Sequence, residues 1–148
     1  MPQATLLLGQ TLSFEADPFT SPPLDAARHL RRGAVLLDGG HITAVGEADR
    51  LRADHPQAQV IDHGDALLSA GFIDAHAHYP QTAIIASWGK RLIDWLNSYT
   101  FPEELRFGDP EYAAAVANRY LDLVLAHGTW SVSNFCNSHP ESVDAFFT

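Results

Sequence analysis

The order of elements across residues 72–148 limits the possible folds more than any other feature of this chain. Phe72 to His78 is an apolar run of strand length, set off by Ser69-Ala70-Gly71 before it. Asp109-Pro110 then opens a helix. Aspartate caps the first free N–H groups, and proline fits the first helical position, where its missing N–H costs nothing. Ala113, Val116, Ala117, Tyr120, Leu123 and Val124 recur with helical spacing along one face. Gly128 stands where a glycine ends a helix. Thr129 to Phe135 reads as a second strand, and Pro140-Glu141-Ser142 starts another helix. Strand, helix, strand, helix is the opening of a βα repeat, which makes a parallel sheet with helices against it.

Residues 1–69 have a different pattern, of short strands and turns. Ala4 to Leu8 is a short strand candidate, and Asp17 to Leu24 carries three prolines and reads as a loop. Val35 to Leu37 and Ile42 to Val45 flank Asp38-Gly39-Gly40-His41, whose residues tolerate the positive φ of a hairpin turn. Asp49 to His55 is a short helix ended by Pro56, and Val60 to Ile61 and Ala66 to Leu68 are two further extended runs. We therefore expect an α/β chain in two parts: a small β-rich domain over 1–69 and a βα domain over 70–148.

Composition excludes several functions. With 18 acidic and 9 basic residues in 148, the formal net charge is −9, which opposes sequence-independent binding to nucleic acid. No polybasic stretch suits an anionic membrane surface. The first residues have no basic n-region, and their apolar run is only Leu6 to Leu8, neither a signal peptide nor a span. The one cysteine, Cys136, cannot form an internal disulfide. A cytoplasmic protein with a small-molecule ligand is the expectation.

The chemistry concentrates at Gly71 to Thr82, GFIDAHAHYPQT. His76 and His78 are two apart, so on a strand both imidazoles point to one face. Two converging imidazoles suit one zinc or similar ion. The pair closes a strand, where parallel βα folds place their sites. Asp74 lies two residues earlier, able to orient a histidine or to seat the strand. A bare pair of this spacing is a weak pattern in a chain with 8 histidines. The apolar strand, Gly71, Asp74 and the βα pattern give it weight.

Gly71-Phe72-Ile73-Asp74 followed by His76 and His78 resembles the first barrel strand of the amidohydrolase superfamily. The hairpin LLDGGHITAVG resembles the small β domain that precedes the barrel in its deaminase branch. The blocks HYPQ and LIDWLNSYTFPEE, with HGTWSVSNFCNSHPESVDAFF after them, are similar to the guanine deaminase family over nearly all of residues 71–148. The resemblance implies a (β/α)8 metallo-hydrolase barrel with an appended β-sandwich, of which this chain holds the sandwich part and the first βα units. It implies hydrolysis of guanine to xanthine and ammonia in purine catabolism, one zinc per subunit and a homodimer. His76 and His78 match the first two zinc ligands. His78, Tyr79, Pro80 and Gln81 match a substrate-binding stretch, in which the Gln81 amide offers both a donor and an acceptor to a purine edge.

Two positions depart from the family pattern: Ala70 stands for a proline, and Trp130 for a small strand residue. Length is the larger departure. A complete barrel takes about 250 residues, and 78 follow Ala70. In the family the third metal histidine, the metal aspartate, the proton-shuttling glutamate and a purine-binding arginine come later, and Glu103, Glu104 and Asp109 occupy none of these places. No catalytic residue is therefore expected within this stretch, and the isolated chain is expected to be inactive. A deaminase of a related heterocycle and a catalytically silent short product are the alternatives.

Other residues have two readings each. Trp88, Trp95, Tyr99 and Phe101 either roof a flat ligand or pack against the fold. His139 lies at the rim after the second strand, as a neighbour of the site or as a helix-start residue. Cys136 has no base partner nearby and reads as a small buried residue. His29, His41, His55, His63 and His127 read as surface or packing residues.

Overall fold

The protein is described by a computed structural model covering residues 3–148. It forms two compact units, one ending at Ala70 and the other running from Gly71 to Thr148.

The first unit is one four-stranded sheet in the order β3-β2-β1-β4. Strands β1 (Thr5–Phe14) and β2 (Ala27–Asp38) pair antiparallel, as do β2 and β3 (His41–Glu47). Helix α1 (Pro23–Ala26) is a single turn that ends the proline-rich loop. The β2–β3 turn is the one the sequence implies: Asp38 pairs with His41, and Gly39 and Gly40 take φ of 58° and 82°. Both values are left-handed, which glycine adopts without steric cost. Strand β4 (Gln59–Ser69) lies parallel to β1. Its ladder breaks between Leu8–Asp62 and Gln10–Leu67, and this irregularity separates the two apolar runs seen in the sequence. Leu6, Leu8, Ala34 and Leu36 form the core, covered by Leu51 of α2 (Ala48–Asp54). Of the expected sandwich, these residues contribute one sheet.

In the second unit, β5 (Phe72–His78) and β6 (Thr129–Phe135) form a two-stranded parallel sheet. The long helix α5 (Pro110–Ala126) connects them, and α6 (Pro140–Phe147) follows. The Asp109 carboxylate accepts the Glu111 N–H at 2.9 Å, so the cap and the proline at the first position act as the sequence suggests. Between β5 and α5 runs an irregular helical stretch. It consists of a 3-10 turn (Tyr79–Ile84), α3 (Leu92–Trp95), a π turn (Leu96–Thr100), α4 (Phe101–Leu105) and a second 3-10 turn (Arg106–Gly108). The core is on the helix side of the sheet, where Tyr79, Phe107, Ala113, Val116, Ala117 and Tyr120 are buried against Ala77, Val132 and Phe146. Gly71 is required by close approach: a Cβ there would meet the Trp130 Cβ at 2.7 Å. Among the described residues, no helix is long and apolar enough to cross a membrane.

Candidate metal and substrate site

The ladder between β5 and β6 shifts between Asp74 and Ala77, so β5 carries one extra residue just before its end. Bulges of this kind re-aim side chains. The Asp74 Oδ1 accepts the backbone N–H of His76 at 3.1 Å, pinning the irregular turn of the strand. This contact is of the strand-seating kind, one of the two roles expected of Asp74.

Beyond that bulge the two imidazoles converge. The Nε2 atoms of His76 and His78 lie 3.1 Å apart, with ring centroids separated by 5.1 Å. Two nitrogens each about 2.0–2.1 Å from a single zinc, at near-tetrahedral angles, are roughly 3.3 Å apart. The spacing therefore fits two ligands of one ion, and imidazole is the donor type that zinc accepts. Phe135 supports the pair from the neighbouring strand. Its ring stacks on His78 at 4.9 Å and an interplanar angle of 15°, and lies 5.1 Å from His76. Among the described residues, no group of three or more His, Cys, Asp or Glu converges to hold a metal.

A cavity of about 580 Å³ opens beside the histidines, lined by His76, His78, Gln81, Trp95, Leu123 and His127 among others. Of the expected substrate stretch, His78 and Gln81 face this space. Tyr79 and Pro80 are fully buried and do not line it. The Tyr79 ring turns to the helix side, stacked on Phe146 at 5.1 Å, and its hydroxyl donates to the Ser142 carbonyl. The physical reason is strand alternation: the residue after His78 points away from the histidine face. The Tyr79 N–H donates to Asn134 Oδ1 at 2.9 Å, tying the exit of β5 to β6. Tyr79 and Pro80 thus anchor the turn that presents Gln81.

The Gln81 side chain is held in turn, its Nε2 donating to Glu104 Oε1 at 3.1 Å. In the aromatic segment only Trp95 reaches the cavity, with its indole N–H donating to the Ser87 carbonyl at 3.1 Å. Trp88 is largely exposed. His139 is the N-cap of α6, its N–H donating to Asn137 Oδ1 at 3.0 Å. Burial pushes the Cys136 thiol up, away from the thiolate a nucleophile needs. Sequence reading missed Phe135 and Glu104. The parallel register His78↔Phe135 would have exposed the first. Glu104 is 23 residues from Gln81, and nothing local announces it.

The sequence matches the Imidazolonepropionase-like composite domain of bacteria over residues 33–58 and the Amidohydrolase family over residues 67–147. The second match covers more than half of the chain, and the chain belongs to the amidohydrolase family. Relatives within that family include guanine deaminases and 5-methylthioadenosine/S-adenosylhomocysteine deaminases. The chain is 36% identical over 123 residues to guanine deaminase of Escherichia coli, covering 82% of this chain and 28% of that protein. The crystal structure of guanine deaminase from Bradyrhizobium japonicum superposes with a TM-score of 0.90 at 31% identity, over 99% of this chain and 32% of that one. The E. coli guanine deaminase structure superposes at 0.86 with 30% identity, over 99% of this chain and 33% of that one. The fold is thus that of the N-terminal part of these enzymes, and the chain spans about a third of their length.

Proposed function

We propose that these residues form the first part of a zinc-dependent guanine deaminase, which converts guanine and water to xanthine and ammonia in purine catabolism. The observation that carries this reading is the convergence of His76 and His78 Nε2 to 3.1 Å at the end of a barrel-type strand. The similarity to guanine deaminases, as those proteins are named, supplies the substrate. On this reading the enzyme is cytoplasmic and homodimeric, as the family resemblance implies.

His76 and His78 would hold the metal through Nε2. When bound, zinc supplies Lewis acidity that makes water nucleophilic near neutral pH. Phe135 packs against both rings and limits their rotation, so the nitrogens stay aimed at one point. Gln81 reaches into the same cavity and would hold the purine edge by hydrogen bonds. Trp95 offers an apolar wall for a flat ring on the same side. Two further metal donors and the proton-shuttling carboxylate must come from outside this stretch, so the 148-residue polypeptide alone should release no ammonia from guanine.

The test is xanthine and ammonia formation from guanine by the protein as its source makes it. Turnover in the wild type and its loss in both H76A and H78A is the expected result. Preference for another heterocycle, or undiminished turnover in either variant, would overturn the reading.

A further inference from the structure

We propose that Glu104 is a positioning residue that fixes the Gln81 amide with its oxygen toward the cavity, so that this position reads an N–H donor on the ligand. The claim rests on the functional reading above, and it adds the polarity of one recognition contact. Its basis is the hydrogen bond from Gln81 Nε2 to Glu104 Oε1 at 3.1 Å, between two half-buried side chains.

A glutamine amide has two faces of opposite character, with NH₂ as donor and C=O as acceptor. In an open site it can turn over and match either. A carboxylate has acceptors only. Turning the Gln81 amide by 180° would set its partially negative oxygen against a Glu104 carboxylate oxygen and lose the hydrogen bond. Glu104 therefore selects one orientation, in which Gln81 Oε1 is left for the ligand. A guanine edge, with its ring N–H groups and exocyclic amine, supplies the donor that this acceptor needs.

Glu104 is itself held in place. Its backbone carbonyl accepts from Asn137 Nδ2 at 3.0 Å. The Asn137 N–H donates to Ser142 Oγ at 3.2 Å, and its Oδ1 accepts the His139 N–H at 3.0 Å. The loop after β6 thus fixes α4, α4 presents Glu104, and Glu104 orients Gln81. Such a relay through backbone and amide groups keeps a recognition contact rigid.

The decisive variants exchange polarity while keeping shape. In E104Q the new amide can donate or accept, so it no longer dictates how Gln81 lies. In Q81E two carboxylates face each other. Each single variant should raise KM for guanine about tenfold, the scale of one lost polar contact, with kcat much less affected. The double variant Q81E/E104Q again joins one amide N–H to one carboxylate and keeps an oxygen toward the ligand. Its KM should fall back toward wild type. An unchanged KM in E104Q, or a double variant no better than the worse single, would overturn the proposal. A readout independent of turnover separates this from the functional reading. In wild-type protein the Gln81 side-chain amide protons should exchange slowly with solvent, and in E104A quickly. Equal exchange in the two proteins overturns the positioning role even if guanine is turned over. If the protein as its source makes it does not turn guanine over, the functional reading fails, and the amide protons alone decide whether Glu104 positions Gln81.

Discussion

The first unit sets Leu6, Ala34 and Leu36 between sheet and helix and leaves them almost without solvent contact. The second unit buries the helix side of its sheet equally well, yet on β5 and β6 Phe72, Ile73 and Trp130 are 67%, 76% and 79% exposed. Parallel sheets are ordinarily covered on both faces. In the first unit the exposed apolar side chains, Phe14, Ile42 and Leu67 among them, lie on strands away from any chemistry-bearing cluster. In the second, Phe72, Ile73 and Trp130 lie at the starts of β5 and β6, while His76 and His78 lie at the other end of β5 beside an open cavity. A site at the end of a parallel strand stays open in this way, so that its remaining groups can reach it.

Core truncation gives the largest expected effects and should treat the two units alike. Phe107→Ala should cost about 3–5 kcal/mol and Leu6→Ala about 2–5 kcal/mol in chemical denaturation, since both side chains are fully buried. A much smaller loss for Phe107→Ala would mean that the helix-side core of the second unit is not formed.

Overpacking separates the units at an intermediate scale. A Cβ at Gly33 would lie 2.3 Å from Thr11 Oγ1, inside the first sheet. Gly33→Val should destabilise by about 1–3 kcal/mol, and the loss should appear in amide exchange across β1 and β2 while leaving β5 and β6 protected.

Alkali should act on the second unit alone, because all 4 tyrosines lie beyond Gly71. Burial, with the Cys136 charge adding to it, pushes the Tyr79 phenol up to about 12. Burial and the hydrogen bond to Glu103 do the same for Tyr112, also to about 12. A folded-state value above the unfolded one favours the neutral phenol. That stabilisation is complete below the ordinary phenol value near 10 and is lost as pH rises through about 12. Absorbance of the phenolate and tryptophan fluorescence both report from this unit, since the 3 tryptophans lie there too. The fluorescence change should accompany ionisation of Tyr79 and Tyr112 near pH 12, while strand signals from the first unit persist beyond it.

The smallest effect sharpens the contrast most. Trp130→Ser removes a large, exposed side chain near the start of β6, and stability should change by no more than about 0.5 kcal/mol. A loss of several kcal/mol would show that this side chain is covered in solution.

How much of this was legible in the sequence follows from the range of each signal. Strands β5 and β6 and the capped α5 could be read because alternation, helical spacing, Asp109-Pro110 and Gly128 are local. The β2–β3 hairpin could be read from Asp38-Gly39-Gly40. The parallel pairing of β1 with β4 could not, since residues 5 and 59 carry no mark of each other. The 92–108 stretch hid its helical character in short 3-10 and π turns with no steady period. At the site, the facing of His76 and His78 follows from their spacing. The burial of Tyr79 also follows from strand alternation, although the family resemblance placed it at the substrate. The Glu104–Gln81 contact needed three dimensions.

The central claim is that His76 and His78 share one zinc ion. The most direct measurement is the zinc content of the protein purified from its source, beside the H76A and H78A variants. The expected result is about one zinc per chain in the wild type, the stoichiometry of a mononuclear site, and little or none in either variant. Full zinc content in both variants, in protein that remains folded, would contradict the assignment.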